Sequence, residues 1–290
     1  MRVPFVAARL NPVIAVCDAD GTQYFFLRRG GLEMKSIEHA VLMSAAFGAD
    51  SMEQTFPGVR MAEERLPFSV RVVRSQEALQ KAVAIRQAAY ARHVPAFAAQ
   101  LTSPEPNDHD KGSVVLLAES KMDGSPLGTM RIQTNRFNDL SIAQSVELPA
   151  WLKNKSMAEA TRLGVGLGQT GRVVKTVLFK ALYLYCLEAG IEWMVIGARS
   201  PLDRQYEALL FQDLFPGQFI PLRHANNIPH RVLGFDVRTA DERWAAADHP
   251  LYKFMVQTRH PDLDLSDAHL PIRNIPLRTA KMFNRVAIGA

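Results

Sequence analysis

Glu159 and Arg162 occur in the run Ala158-Glu159-Ala160-Thr161-Arg162-Leu163, and a carboxylate beside a guanidinium can move a proton and hold an anion. In a regular strand a spacing of three sends these two side chains to opposite faces. Glu159 then shares a face with Thr161 and Leu163, and Arg162 with Ala160. Two readings fit. The charges either form an outward salt bridge at a strand end, or the strand carries a bulge that turns both toward one cleft.

Directly downstream, Gly164, Gly166, Gly168 and Gly171 lead into Arg172 and a helical pattern. A glycine-rich turn at a helix N-terminus exposes backbone N–H groups, and the helix dipole favours an anion there. Gly168, Gln169, Gly171 and Arg172, with Lys175 one turn on, are therefore candidates to hold a pyrophosphate or phosphopantetheine phosphate. A tight turn with no ligand fits the same glycines. No Gly-Lys-Ser/Thr follows, so the turn is not a nucleotide P-loop.

Other polar residues have plain alternatives. Arg131 opposes Met130 and Ile132 on its strand, where a solvated arginine is the ordinary case, and Arg86 precedes Tyr90 by one helical turn. Asp108 and Asp110 fall in a polar loop where acidic residues need no special reason. The histidines show no metal-ligand spacing, so no metal is expected, and no G-x-S-x-G elbow supports a covalent hydrolase. Cys186, late in an amphipathic pattern, reads as a small buried hydrophobe.

The elements that must carry these residues follow from periodicity. Phe68–Val73 alternates as a strand, and Ser75 caps a helix that Pro95 stops near His93. Residues 102–112 are rich in turn formers. Val114–Ala118, Leu127–Thr134 and Met157–Val165 read as strands. A helix over Arg172–Ala189 ends at Gly190. Then come strand Trp193–Ala198, helix Leu202–Phe215, strand Arg231–Val237, helix Ala240–Ala247 and more helix near Leu251–Thr258. This order predicts an α/β fold, a mixed central sheet flanked by helices.

Residues 1–66 read as a partly irregular N-terminal extension, with a hairpin signal at Val13–Cys17 and Gln23–Leu27 and a helical stretch at Leu32–Phe47. A domain over 67–265 follows, and 266–290 form a basic tail with Arg273, Arg278, Lys281 and Arg285. No stretch approaches the roughly 20 apolar residues that span a bilayer, no signal peptide is read, and the two cysteines make no disulfide framework. A cytoplasmic protein is the expectation. The net charge of +5 suits an acidic protein partner or an anionic cofactor as well as nucleic acid. A nucleic-acid role has only that charge and the basic tail behind it, and is disfavoured.

Taken in order, Arg86-x-x-x-Tyr90, Asn107-Asp108-His109-Asp110, Gly128-Thr129-Met130-Arg131 and Glu159-Ala160-Thr161-Arg162 resemble the acyl-carrier-dependent branch of the GNAT superfamily. That branch holds the N-acyl amino acid synthases and the acyl-homoserine-lactone synthases. The resemblance covers roughly residues 68–260 and extends to Gln205-Tyr206-Glu207 and His249-Pro250-Leu251-Tyr252. It implies a GNAT-like fold and transfer of an acyl group to the amine of an amino acid or similar small molecule. Acyl-ACP or acyl-CoA would be the co-substrate, with nothing tightly bound. Glu159 would act as base, directly or through a water, and Tyr206 would meet the departing thiol. Backbone N–H groups around Leu163 and Val165 would face the oxyanion. Arg86, Asp108, Asp110, Arg131 and Arg162 would form the acceptor side. An acyl carrier protein would dock on Arg172, Lys175 and Lys180.

The chain departs from the wider pattern in two places. The glycine turn lacks the full Arg/Gln-x-x-Gly-x-Gly/Ala spacing of coenzyme A users, and Phe97 stands in a stretch where lactone synthases keep a tryptophan. The alternatives implied are an acyl-homoserine-lactone synthase or a non-catalytic module that binds an acyl ligand.

Overall fold

The computed structural model describes residues 61–266 and 268, together with the backbone of two short strands, β1 (Ile14–Cys17) and β2 (Gln23–Phe26). β1 and β2 pair antiparallel with Ile14 opposite Phe26, as the hairpin signal predicts. The helical stretch expected at Leu32–Phe47 and the basic tail beyond 268 lie outside the described residues.

The main sheet is built from β4 (Phe68–Val72), β5 (Ser113–Ser120), β6 (Pro126–Thr134), β7 (Met157–Val165), β8 (Trp193–Ala198) and β11 (Ile228–Asp236). Short strands β9 (Gln212–Asp213), β10 (Ile220–Leu222) and β13 (Leu263–Asp264) extend it, giving the order β10-β11-β8-β7-β6-β5-β4-β13 with β9 also on β11. A separate parallel pair joins β3 (Ala62–Glu63) to β12 (Thr258–Arg259).

β4 to β7 run as antiparallel neighbours, and β7 then pairs parallel with β8. A parallel neighbour requires a crossover. That crossover is α3 (Gly168–Glu188), whose apolar side carries Val174, Val177, Leu178, Ala181 and Leu182 into the larger core with Met130, Ile132, Ala158 and Ala160. The opposite face of the sheet is covered by α1 (Gln76–Ala91), where Leu79 and Ala82 pack with Val115 and Leu117. β5 is thus buried on both faces, which is why its apolar run is continuous rather than alternating.

α1 starts where the sequence says, with Ser75 Oγ accepting from the Ala78 N–H. Three elements differ. α3 begins at Gly168 rather than Arg172, so the glycines form its first turn and not a loop ahead of it. The helix expected over Leu202–Phe215 is only α4 (Leu202–Ala208): Leu210 turns left-handed at φ 69° and the chain re-enters the sheet as β9. The last helical stretch is α5 (Ala240–Ala246) followed by a π-helical turn at Lys253–Gln257.

Candidate active site

The strand β7 departs from regularity at the residue that matters. Thr129 faces Gly164 and Arg131 faces Thr161, so one residue of β6, Met130, opposes two of β7, Arg162 and Leu163. This is a β-bulge, and Arg162 sits in it at φ 56°. A left-handed turn costs a non-glycine residue about 1 kcal/mol. Its effect is to put Thr161 and Arg162 on one face. Arg131 donates from Nε to Thr161 Oγ1 at 3.1 Å, while Arg162 reaches the loop below α1. The bulge reading of Glu159 and Arg162 therefore holds, and both side chains lie on the α1 face of the sheet.

That loop is 102–112, and the short helix α2 (Pro95–Ala98) leads into it. Glu105-Pro106-Asn107-Asp108 closes a 3-10 turn in which the Asp108 carboxylate accepts the Glu105 N–H at 2.8 Å. The turn presents two carboxylates to three arginines. Arg86 forks onto Asp108 with two bonds of 2.9 Å, and Arg162 forks onto Glu105 with two bonds of 2.6 Å. Arg131 donates to both carboxylates at 3.1 Å. Burial would raise the two acids, but the arginines outweigh it and hold both below the usual carboxylate range, Arg162 foremost at Glu105 and Arg86 at Asp108. Three guanidiniums against two carboxylates leave one positive charge in excess.

Glu159 stands apart from this cluster. Its side chain has 0% exposure, and Oε2 accepts the Ile142 N–H at 3.0 Å. Burial pushes its pKa up to about 7, against the pull of that N–H, Arg131 and Arg162. Oε1 lies 3.5 Å from Nε2 of His224, whose own pKa is driven down to about 4 by burial first and Arg162 second. His224 belongs to the 3-10 turn Arg223–Ala225, which is tied to the Ser141–Gln144 turn by the Arg223 N–H on Ser145 Oγ. The His224 carbonyl accepts from Arg162 at 2.8 Å. The two turns roof the β7 carboxylate.

A cleft of about 280 Å³ opens over this assembly, lined by Phe97, Leu101, Glu105, Arg131, Ser141, Arg162, Arg223 and His224 among others. Beside it β7 and β8 pair only from Met157 opposite Trp193 to Ala160 opposite Ile196, and then part. Leu163 and Val165 therefore lie beyond the last β8 contact, where the edge of β7 is splayed. Arg92 of the α1 cap donates to the Val165 carbonyl there.

The glycine turn follows. Gly168 takes φ 74°, and Gly168, Gln169 and Thr170 are exposed at the N-terminus of α3. A Cβ on Gly171 would sit 1.9 Å from the Gly166 carbonyl oxygen, so only glycine lets the helix start this close to the strand. Gly166, Gly168 and Gly171 also spell G-x-G-x-x-G between parallel strands. The last of these glycines serves the close helix–strand packing that the Gly166 carbonyl imposes. Arg172 and Lys175 lie half-buried in the first two turns of α3.

The remaining candidates sort unevenly. Asp110 stands outside the arginine cluster; Glu105 supplies the second carboxylate instead. Lys180 cannot belong to a docking face: it is 2% exposed, and its Nζ donates to the Phe254 and Thr258 carbonyls and meets His260 Nδ1 at 3.0 Å. Tyr206 is buried against Phe179 and Phe211, with burial and Tyr90 both raising its hydroxyl pKa. Cys186 is buried and its thiol is pushed up by burial. Sequence reading missed Glu105, Ser141 and His224. Glu105 had a signal, the Glu-Pro-Asn-Asp capping box; His224 had none. Among the described residues no group of three His, Cys, Asp or Glu could hold a metal ion, and no helix is long and apolar enough to cross a membrane.

No protein-family model matches the chain, and no curated protein sequence matches it. Solved structures do. The N-acyl amino acid synthase FeeM from uncultured soil microbes superposes with a TM-score of 0.51 at 19% identity, over 65% of this chain and 98% of that one. The coenzyme A-dependent acyl-homoserine lactone synthase BjaI gives 0.45 at 14% identity, over 67% and 93%. A putative N-acetyltransferase from Lactobacillus plantarum gives 0.43 at 15%, over 59% and 99%. The mixed sheet, the crossover helix and the match to FeeM together establish that this chain has a GNAT-like fold.

Proposed function

We propose that the protein is an N-acyltransferase that moves an acyl group from an acyl-ACP or acyl-CoA thioester to the amine of an amino acid or similar small molecule bearing a carboxylate. The observation that carries this reading is the arginine-lined cleft beside the splayed edge of β7. A thioester is already activated, so the protein needs no covalent intermediate. It has to align amine and carbonyl, take a proton and stabilise an oxyanion.

The residues supply each part. Arg131 and Arg162 line the cleft with net positive charge, which suits a carboxylate on the acceptor. The β7 edge at Leu163–Val165 offers backbone N–H groups to the oxyanion. The exposed start of α3 at Gly168, Gln169 and Thr170, with Arg172 and Lys175, suits the phosphate of the donor arm. Tyr206, fully buried beside Phe179, is the candidate to hydrogen-bond the departing thiol. Glu159 is the acid–base reserve. FeeM is named as an N-acyl amino acid synthase, which agrees with this choice of acceptor.

The test is incubation of the protein with acyl-carrier and acyl-coenzyme A thioesters and a panel of amino acids, with products read by mass. N-acyl amino acids are the expected result. Thioester loss with no acylated amine, or no reaction with any donor, would refute the reading.

A further inference from the structure

The guanidiniums beneath the cleft are already engaged. Arg86 is fully enclosed and bonds Asp108 and Glu105. Arg131, 1% exposed, puts Nε on Thr161 and Nη1 on both Glu105 and Asp108. Arg162, 5% exposed, spends Nε and Nη2 on Glu105, and Nη2 also meets the His224 carbonyl. A forked contact uses two neighbouring nitrogens of one guanidinium. On Arg131 or Arg162 a ligand carboxylate would therefore have to displace a bond that the protein makes.

Arg223 is placed differently. It lines the same cleft from the roofing turn, it is exposed, and its side chain makes no hydrogen bond or ion pair among the described residues. Its backbone is nevertheless fixed. The Arg223 N–H donates to Ser145 Oγ at 2.8 Å, its carbonyl accepts the Asn226 N–H at 3.1 Å, and the Leu222 carbonyl accepts the Asn227 N–H at 2.9 Å. Asn226 and Asn227, both left-handed, close the turn behind it. The other exposed residues of the lining, Gln100, Pro106, Gln144 and Asn226, are uncharged. The carboxylate of the lining, Glu105, is held by Arg162 and Arg131.

We propose that Arg223 is the specificity-determining residue that binds the carboxylate of the acceptor, its guanidinium forking onto the two oxygens. This rests on the acyltransferase reading and deepens it by dividing the work among the arginines. The excess positive charge of the buried cluster draws an anion into the cleft, and Arg223, an uncommitted guanidinium on an anchored turn, makes the contact. The acceptor class is then amino acids and other amines that carry a carboxylate, and the same amines without it are poor acceptors. Arg223 takes no part in bond making; it selects and orients.

The experiment gives wild type, Arg223→Ala and Arg223→Lys an amino acid and the amine that lacks its carboxylate, and scores each protein by the ratio of kcat/KM for the two. Arg223→Ala is expected to lower that ratio about tenfold to a hundredfold, and Arg223→Lys, which keeps the charge without the fork, to recover part of it. A ratio equal to that of wild type, or a rise confined to the donor KM, overturns the assignment and leaves the acyltransferase reading intact. A wild type that acylates nothing removes that reading, and saturation-transfer NMR with amino acids and their carboxamides then decides Arg223 alone. A preference of wild type for the carboxylate form that Arg223→Ala abolishes supports the contact. Equal binding of the two forms, or a preference unchanged in the variant, overturns it.

Discussion

Arg162 grips Glu105 through two hydrogen bonds of 2.6 Å although 57 residues separate them in the chain. The contact exists because of the bulge in β7. On a regular strand Arg162 would point with Ala160 toward α3 and into an apolar core. Turned instead to the α1 face, it closes the cleft floor, stacks over the Phe97 ring at 5.1 Å and holds the His224 carbonyl. One backbone irregularity links the acidic loop, the strand and the roofing turn.

The bulge predicts an inverted order between two substitutions. Arg162→Ala and Arg162→Gly both remove the Glu105 fork and leave that half-buried acid with Arg131 and Arg86. They differ only in the cost of φ 56°, which alanine bears and glycine does not. Elsewhere in a strand glycine is the less stable choice. Here Arg162→Gly should be the more stable of the two by about 1 kcal/mol in urea unfolding. Alanine the more stable, by any margin, would mean that position 162 is not left-handed in solution.

The roof predicts a pH dependence that only single substitutions reveal. Folded Glu159, with a pKa of about 7 against an ordinary 4.5, keeps a proton that the unfolded chain has lost, so its contribution to stability falls as pH rises through that window. Folded His224, at about 4 against 6.5, lacks a proton that the unfolded chain carries, so its contribution rises with pH there. Each is worth about 3 kcal/mol across its window. In the wild type the two nearly cancel between pH 4.5 and 6.5. Measured against wild type, Glu159→Gln should gain stability steadily from pH 4.5 to 7, and His224→Asn should lose it from pH 4 to 6.5. Difference curves that stay flat would show both groups titrating as they do unfolded.

The strands and the two main helices were legible because their signals are local: the Ser75 cap, the alternation of Phe68–Val73, the apolar positions of α3. The site was legible where residues sit on those elements, as Arg86, Arg131, Glu159 and Arg162 do. It was not legible where assembly is tertiary. Nothing near Leu209 announces the left-handed Leu210 that ends α4, and apolar periodicity alone ran the helix on to Phe215. Asp110 looked equivalent to Asp108, yet the 3-10 turn at Pro106–Asp108 turns Glu105 inward instead. His224 reaches Glu159 only because β10 and β11 return a turn across the sheet, 65 residues after β7 supplies the acid.

Lys180 shows the same limit, and it carries a third prediction. On α3 it read as a basic surface residue, but it is buried under the 251–265 segment, with two backbone carbonyls and the His260 ring on its amine and the Phe254 ring 5.0 Å away. Burial lowers its pKa to about 8 from 10.5. Two effects oppose in Lys180→Met. Removing a buried charge is favourable, but the Phe254 and Thr258 carbonyls lose their donor, at about 1–3 kcal/mol for each buried acceptor left unpaired. The acceptors win, because only one side of the contact is replaced. Lys180→Met should therefore lose about 2 kcal/mol at neutral pH and free the 251–265 segment for proteolysis. The sign of its pH term is separate: a depressed lysine pKa makes the wild type gain stability between pH 8 and 10.5, as the unfolded chain alone holds the proton. The variant should lack that gain. Unfolding at pH 7, 8.5 and 10 by urea measures both, and a variant as stable as wild type with an unchanged proteolysis pattern would show that the amine does not hold the segment down.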